Sequence, residues 1–161
     1  MSRVVLVGLD PGSRITGYGV IAVEGKQLRA IEYGCIKTQP DSSLSAKLEL
    51  IYNDVTAVIS QHKPEEVIVE NAFYYKNVRA AMVLGHVRGV LLLAGQRNGA
   101  HVVELSPKEI KKFVTGSGNA SKDRVKYMTC RILGLSREPE NEDAADALAV
   151  ALAHGLSITR G

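Results

Sequence analysis

Acidic residues directly follow two of the most apolar segments in this chain of 161 residues. Asp10 follows the run from Val4 to Leu9, and Glu70 follows the run from Val67 to Val69. A carboxylate in such a place is costly unless it is exposed, paired or bound to a metal. Each acid also has a simpler interpretation, since Asp10 could cap the turn after its strand and Glu70 could mark the end of its strand.

A second pair of acids lies near the C-terminus, in the segment NEDAADALAVALAHG. Asp143 and Asp146 are three residues apart, which places both carboxylates on one face of a helix. Their repulsion would be offset by the N-terminal helix dipole and by a divalent cation, although acids also occur at helix starts for the dipole alone. Two carboxylates from strand ends and two from a helix predict an all-oxygen site, which suits Mg²⁺ or Mn²⁺ and not structural zinc.

Hydrophobic periodicity predicts the elements that must position these acids. Continuous apolar runs indicate strands covered on both faces, and apolar residues at steps of three and four indicate amphipathic helices. The resulting order is βββαβαβ followed by further helices, an α/β chain that begins with an antiparallel meander. We expect one domain over residues 1–161. Strands are predicted at 4–9, 18–23, 27–36, 66–70 and 101–105, and helices at about 43–62, 74–97, 108–115, 124–133 and 141–156.

The charge distribution is compatible with a polyanionic partner. The chain has 20 Lys and Arg against 17 Asp and Glu, a mild excess. Between Ser106 and Arg137, however, eight basic residues stand against only two acidic ones, so this stretch is a candidate to face phosphates. Cys35 and Cys130 lack the spacing of a disulfide framework or a zinc site, and we expect two buried thiols.

No segment has the pattern of a membrane anchor or a signal peptide. The most apolar stretch, from Ala80 to Gly95, contains His86 and Arg88 and is shorter than the ~20 residues that cross a bilayer. We therefore expect a cytoplasmic protein with no membrane partner.

Four segments together resemble the RuvC family of crossover (Holliday) junction endodeoxyribonucleases. These segments are GLDPGSRITGYGVI, VIVENAFYYKN, GNASKDRV and NEDAADALAVALAHG, in that order along nearly the whole chain. The resemblance implies a ribonuclease H-like fold with a mixed five-stranded sheet flanked by helices. It also implies a homodimer that resolves four-way junction DNA by paired, magnesium-dependent nicking in recombination and repair, together with the RuvA and RuvB branch-migration proteins.

The same resemblance assigns the catalytic, metal-binding positions to four residues. These are Asp10, Glu70, Asp143 and Asp146, with two Mg²⁺ ions expected per site and Mn²⁺ as an alternative. Some members carry His at the third position, where this chain has Asp, so the site would consist of carboxylates alone. Two-metal hydrolysis would leave 5′-phosphate and 3′-hydroxyl ends.

Basic and aromatic positions of the family provide candidate DNA contacts. Lys111 and Lys122 correspond to family cations, and Lys122 is also a candidate catalytic residue that would stabilise charge in the transition state. Phe73 resembles an aromatic residue that stacks on an unpaired base, although it could equally be a core residue. Lys76 and Arg79 lie in a polar, aromatic segment that could face DNA.

The long helix predicted at 74–97 is apolar around much of its circumference. One face can cover the sheet while another contacts a second subunit. Gly85 and Gly89 could permit close approach of a partner helix, or could pack against the sheet. The family resemblance favours the dimer.

Three other functions remain open from the residues. The chain could be another ribonuclease H-like nuclease that acts on RNA or simple duplexes, because the fold does not distinguish these substrates. It could also be a non-catalytic junction-binding module. The actin and sugar-kinase superfamily has a similar Asp at a strand-to-glycine turn, but it closes two domains around ATP where this chain has length for one.

Overall fold

The computed structural model describes residues 2–72 and 76–161. Within these residues the elements follow the predicted order βββαβαβ, with three helices after the last strand. The strands are β1 (Arg3–Asp10), β2 (Ile15–Glu24), β3 (Gln27–Lys37), β4 (Glu66–Glu70) and β5 (His101–Leu105). The helices are α1 (Leu44–His62), α2 (Val78–Arg97), α3 (Pro107–Thr115), α4 (Lys122–Ile132) and α5 (Glu142–Arg160).

The start of α2 differs from the sequence prediction. The helix begins at Val78, and the side chain of Asn77 caps it by accepting a hydrogen bond from the Ala80 N–H at 2.8 Å. An Asn cap satisfies one of the free amides of the first turn, which periodicity alone does not reveal. Residues 73–75 of the predicted helix lie outside the described residues.

The five strands form one mixed sheet in the order β3-β2-β1-β4-β5. The first three strands pair antiparallel, as the predicted meander requires, whereas β4 and β5 pair parallel to β1 and β4. Strands that run parallel end at the same edge of a sheet. The C-terminal ends of β1 and β4 are therefore neighbours, and each of them carries one of the candidate acids.

Alternating residues of the central strands enter two different cores. Leu6 and Ile68 pack with α3, α4 and α5 on one face of the sheet. Val7 and Val67 pack with α1 and α2 on the other face. Coverage of both faces explains why the central strands are continuously apolar and show no alternation of apolar and polar residues.

Close approach of α5 to the sheet depends on strand glycines. A Cβ atom at Gly8 would lie 2.3 Å from the Ala147 carbonyl oxygen, and one at Gly17 would lie 2.0 Å from the Asp143 carbonyl oxygen. Any larger residue would push the helix away. At the far end of the helix, His154 contacts the Glu66 carboxylate at the start of β4. The helix is thus fixed across β1, β2 and β4.

Only part of α2 is covered by the rest of the chain. Val87, Leu91 and Ala94 are fully buried, and Arg88 forms an ion pair with Glu104 of β5 at 2.6 Å. The helix has 20 residues, and the mean hydropathy of its most apolar 18-residue window is 1.4, so by length and composition it could cross a membrane, contrary to the shorter segment expected from sequence. In its most apolar window only 22% of the residues are buried, which leaves an exposed apolar face.

The two cysteines are free and partly exposed, which corrects the prediction that both are buried. Burial is the first cause of a raised pKa at the Cys35 thiol, and the nearby Asp143 carboxylate adds to it. Burial and the Glu138 carboxylate likewise raise the pKa of Cys130. Both thiols therefore favour the neutral form.

Candidate active site

Asp10 and Glu70 lie side by side at one edge of the sheet. Leu9 of β1 pairs with Val69 of β4, so the two acids follow in register on adjacent parallel strands. Both side chains have the same parity as Leu6 and Ile68 and therefore lie on the α5 side of the sheet. The two carboxyl groups share a hydrogen bond.

The first turns of α5 bring the second pair of acids to the same place. The Asn141 side chain caps the helix by accepting a hydrogen bond from the Asp143 N–H at 3.0 Å. The bare backbone of Gly17, which pairs with Asp10, allows the Asp143 backbone to lie directly on β2. Asp146 follows on the same face of the helix.

All four acids and both predicted lysines line one cleft of about 450 Å³. Asp10 and Glu70 come from strands, Asp143 and Asp146 from α5, Lys111 from α3 and Lys122 from the first position of α4. Residues as far apart in the sequence as Asp10 and Asp146, 136 positions, are thus brought to one surface by the sheet order and by α5. The roles of these residues remain predictions, but their juxtaposition is a property of the fold.

Sequence reasoning missed the apolar part of the cleft wall. Val150 continues the helical stripe of Asp143 and Asp146 at a step of four, and this spacing was a usable signal. The other apolar residues of the wall had no sequence signal that separates a wall residue from a core residue. The apolar lining consists of Ile15, Pro107, Ile110, Val125, Ala149 and Val150.

Burial and the neighbouring acids favour the neutral form of Asp10. Burial, the largest cause, together with the hydrogen bond and charge of Glu70 and the charges of Asp146 and Asp143, raises its pKa to about 9. Burial also raises the pKa of Asp146, although the Lys122 ammonium partly opposes the rise. A bound cation would stabilise the ionised forms of Asp10 and Asp146.

Lys122 is the cation that the chain itself supplies to this cluster. Its Nζ lies 3.3 Å from an Asp146 carboxylate oxygen, and its side chain is 63% exposed. Partial burial lowers the pKa of Lys122, but the carboxylates of Asp146, Glu142 and Asp10 outweigh this effect and raise it above its usual value. The ammonium group therefore stays charged and reaches solvent at the mouth of the cleft.

The donor chemistry of the cleft fits a hard divalent cation. Four carboxylates supply only oxygen ligands, the type that Mg²⁺ and Mn²⁺ prefer. Within residues 2–72 and 76–161, no three His, Cys, Asp or Glu side chains converge closely enough to enclose an ion as they stand. The acids share an open cleft and do not form a closed cage.

Two further predicted DNA contacts, Lys76 and Arg79, do not line this cleft. Lys76 and Arg79 are exposed at and before the start of α2. Arg79 lines a neighbouring depression that also includes Ser13, in the loop after Asp10. Phe73 lies outside the described residues, so its predicted base-stacking role stays a prediction.

Residues 6–154 match the family model described as crossover junction endodeoxyribonuclease RuvC. A protein of that name from Protochlamydia amoebophila is 44% identical over 153 residues, which cover 95% of this chain and 91% of that protein. The chain belongs to the RuvC family. Its match therefore includes the segments that carry all four acids.

Solved structures agree with this RuvC assignment. Thermus thermophilus RuvC in complex with a Holliday junction substrate aligns with a TM-score of 0.92 and 34% identity, covering 98% of this chain and 96% of that one. The yeast mitochondrial Holliday junction resolvase aligns with a TM-score of 0.67 at 15% identity, which supports the fold alone. The α/β fold with a mixed five-stranded sheet, predicted as ribonuclease H-like, is confirmed.

Proposed function

We propose that this chain is a structure-selective endonuclease that resolves four-way DNA junctions by paired symmetric nicks, in recombination and DNA repair. The observation that carries the proposal is the single cleft in which four carboxylates and two lysines meet, in a chain of the RuvC family. The reaction is hydrolysis of a phosphodiester bond with 5′-phosphate and 3′-hydroxyl products.

Asp10, Glu70, Asp143 and Asp146 would hold two Mg²⁺ ions, with Mn²⁺ as an alternative. Bound there, the ions supply activation of the attacking water and stabilisation of the leaving 3′ oxygen. Asp10 is the candidate bridging ligand, because its carboxyl group interacts with Glu70 of the adjacent strand and with Asp143 and Asp146 of α5.

Lys122 and Lys111 would bind the scissile phosphate at the mouth of the cleft. The Lys122 ammonium lies 3.3 Å from Asp146 and is exposed, so it could bind a phosphate beside the carboxylates. A positioned cation near the reacting phosphate stabilises the negative charge that develops in the transition state. Phe73, Lys76 and Arg79 are proposed to contact the strands beside the crossover.

A homodimer would place two such clefts on two strands of like polarity. The exposed face of α2 supports it, since Val78 is 76%, Met82 62% and Leu93 55% exposed. Gly85 and Gly89 lie on the same face with open space above them, so they do not pack against the sheet. An apolar stripe that contains small residues fits a two-fold helix contact.

Cooperation with RuvA and RuvB, and a cytoplasmic location with the chromosomal DNA, are further parts of this proposal. They rest on family membership. Co-purification of the chain with tagged RuvB in the presence of junction DNA would test the first of them.

The deciding experiment compares four isosteric variants with the wild-type chain on a synthetic four-way junction. Asp10→Asn, Glu70→Gln, Asp143→Asn and Asp146→Asn each remove one negative ligand at nearly constant shape. We expect each to lose most nicking with Mg²⁺ while junction binding is kept at fixed salt, because phosphate contacts dominate affinity. Asp54→Asn, on the exposed face of α1, is the matched control.

Each alternative function predicts a different result in this assay. A non-catalytic junction-binding module would bind without nicking, and a nuclease of another specificity would cut duplex DNA or RNA as fast as the junction. Wild-type nicking rates in any of the four variants would remove that residue from the proposed metal site.

A further inference from the structure

A second groove lies on the outer side of α4, away from the carboxylates. We call it the outer groove. It has a volume of about 480 Å³ and lies between the C-terminal half of α4 and the segment after that helix. Its polar lining includes Tyr127, Arg131, Arg137 and Glu138, and its floor includes Cys130 and Leu135.

An aromatic ring holds one of the cations of the outer groove in place. The Arg131 guanidinium carbon lies 5.9 Å from the centre of the Tyr127 ring, one helical turn away. Tyr127 is 52% exposed, so its ring and the Arg131 guanidinium are both open to a ligand in the groove. A guanidinium supported by a ring is pre-organised, so it loses less side-chain freedom when it binds an oxyanion.

The charge of this surface favours an anionic ligand. Five basic residues and one acidic residue lie between Lys122 and Arg137. Glu138 is the acidic residue that lines the groove, and its carboxylate forms an ion pair with the Lys126 ammonium at 3.5 Å. Arg131 and Arg137 are both exposed, and Arg124 continues the Tyr127 and Arg131 side of the helix one turn earlier.

The helix connects the outer groove to the catalytic cleft. Lys122 begins α4 at the cleft, and Arg131 lies nine residues later on the same helix. At 1.5 Å per residue the separation along the helix axis is about 14 Å, and about two and a half helical turns place Arg131 on the side of α4 opposite to Lys122. The outer groove is therefore separate from the cleft, on the other side of the same helix.

We propose that the outer groove binds the phosphate backbone of a junction arm beyond the scissile phosphate. Arg131 and Arg137 bind the phosphates, and Tyr127 holds the Arg131 guanidinium and donates its hydroxyl to the backbone. The inference rests on junction DNA as the substrate of the cleft. It adds a site that anchors the arm without taking part in hydrolysis.

The test measures junction affinity of the double variant Arg131→Ala/Arg137→Ala as a function of salt. We expect binding several-fold weaker than wild type, and a slope of log affinity against log salt that is smaller by about 1 for each lost phosphate contact. Arg131→Lys, which keeps the charge, should retain most of the affinity. Arg97→Ala removes the same side chain at the far end of α2 and should leave both quantities unchanged.

A set of junctions with neutral methylphosphonates at successive arm positions beyond the cut site locates the contact. Neutralisation should weaken wild-type binding and leave the double variant unaffected, because the two changes remove the same interaction. Equal effects on both proteins, or wild-type affinity in the double variant, would overturn the proposal and point to a protein partner for this groove. A failure of wild-type protein to nick any junction would instead contradict the proposed function itself.

Discussion

At the scale of single residues, the cleft is organised by repulsion between acids. Asp10 is the most affected, since burial and three neighbouring carboxylates favour its neutral form. The carboxylates that could bind cations in the cleft therefore also lower the stability of the fold. Such a conflict between stability and function is common at active sites.

The first prediction follows from the pKa of Asp10. Its folded value of about 9 lies above the ordinary 3.8, so this group contributes stability that is complete below pH 4 and is lost as the pH rises through 9. Asn imitates the neutral carboxyl group. In EDTA at pH 8, the free energy of unfolding of Asp10→Asn should therefore be higher than that of wild type by at least about 1 kcal/mol. Its Tm should be higher by roughly 2 to 4 °C.

The advantage of Asp10→Asn should shrink as the pH falls toward 4, and addition of Mg²⁺ should raise the Tm of wild type more than that of the variant. Asp54→Asn, which removes an exposed carboxylate of α1, serves as the control. An unchanged or lower Tm for Asp10→Asn in EDTA at pH 8 would contradict the repulsion described here.

The second prediction concerns the lysines of the cleft. Lys122→Ala and Lys111→Ala should lower the rate of junction nicking by roughly 10² or more, as for loss of one stabilising donor at a transition state. Their Tm should change little, because Lys122 is largely exposed. Lys112→Ala removes an exposed neighbour that does not line the cleft, and it should cut at nearly the wild-type rate.

Single-turnover nicking with Mg²⁺ at fixed salt separates these cases. A Lys112→Ala defect as large as that of Lys122→Ala would mean that general positive charge, and not the position in the cleft, determines the rate.

At the scale of elements, the decisive contact is between α5 and the first two strands. The helix carries two acids but can bring them to Asp10 only because its backbone touches β1 and β2 at glycines. The alanines of α5, such as Ala147 and Ala151, allow the same approach from the helix side. The contact that packs α5 against the sheet is therefore also the contact that positions the acids of the cleft.

The third prediction is that Gly17→Ala damages both stability and activity. Its Cβ atom would lie 2.0 Å from the Asp143 carbonyl oxygen, a backbone atom that cannot rotate away. Forced separation of α5 from β2 should cost about 1 to 3 kcal/mol and displace Asp143 from Asp10. Thermal unfolding and Mg²⁺ titration of nicking measure the two effects.

Gly34→Ala is the matched control, because the added Cβ meets only the side chain of Tyr18, which can move. We expect a smaller loss of Tm and a Mg²⁺ requirement close to that of wild type. If Gly17→Ala unfolded and nicked like Gly34→Ala, the close helix contact would not be what positions Asp143.

At the scale of the whole molecule, the described residues leave an apolar stripe of α2 exposed to solvent. Its residues follow steps of four, three, four and four along one side of the helix. They are Val78, Met82, Gly85, Gly89 and Leu93. The buried residues of the same helix lie on the opposite side, so the stripe points away from the sheet.

The fourth prediction is that Met82→Glu produces a monomer. A charge in the centre of an apolar two-fold contact appears twice, once from each subunit, and both copies would be desolvated. Analytical ultracentrifugation should show the change in mass, and nicks in the two opposing strands should become independent. Ile158→Glu, another exposed apolar position, should remain dimeric. A dimeric Met82→Glu protein would place the interface elsewhere.

Several features followed from local sequence alone. The apolar runs predicted all five strands, and the cap Ser106 with Pro107 predicted the start of α3. The spacing of Asp143 and Asp146 predicted their common face, since helix geometry is fixed over three residues. These properties depend on neighbours in the chain, so they can be read without the fold.

Other features depended on contacts between distant segments, which only the tertiary structure determines. Gly8 and Gly17 accommodate the backbone of α5, a role that depends on a helix more than 120 residues later in the chain. The parallel pairing of β1 with β4 decided that Asp10 and Glu70 are neighbours, and the position of α4 decided that Lys122 reaches Asp146. Sequence thus determined which groups are available for chemistry, whereas packing across the sheet determined which of them meet, because pairing register and helix approach are set by side chains far apart in the chain.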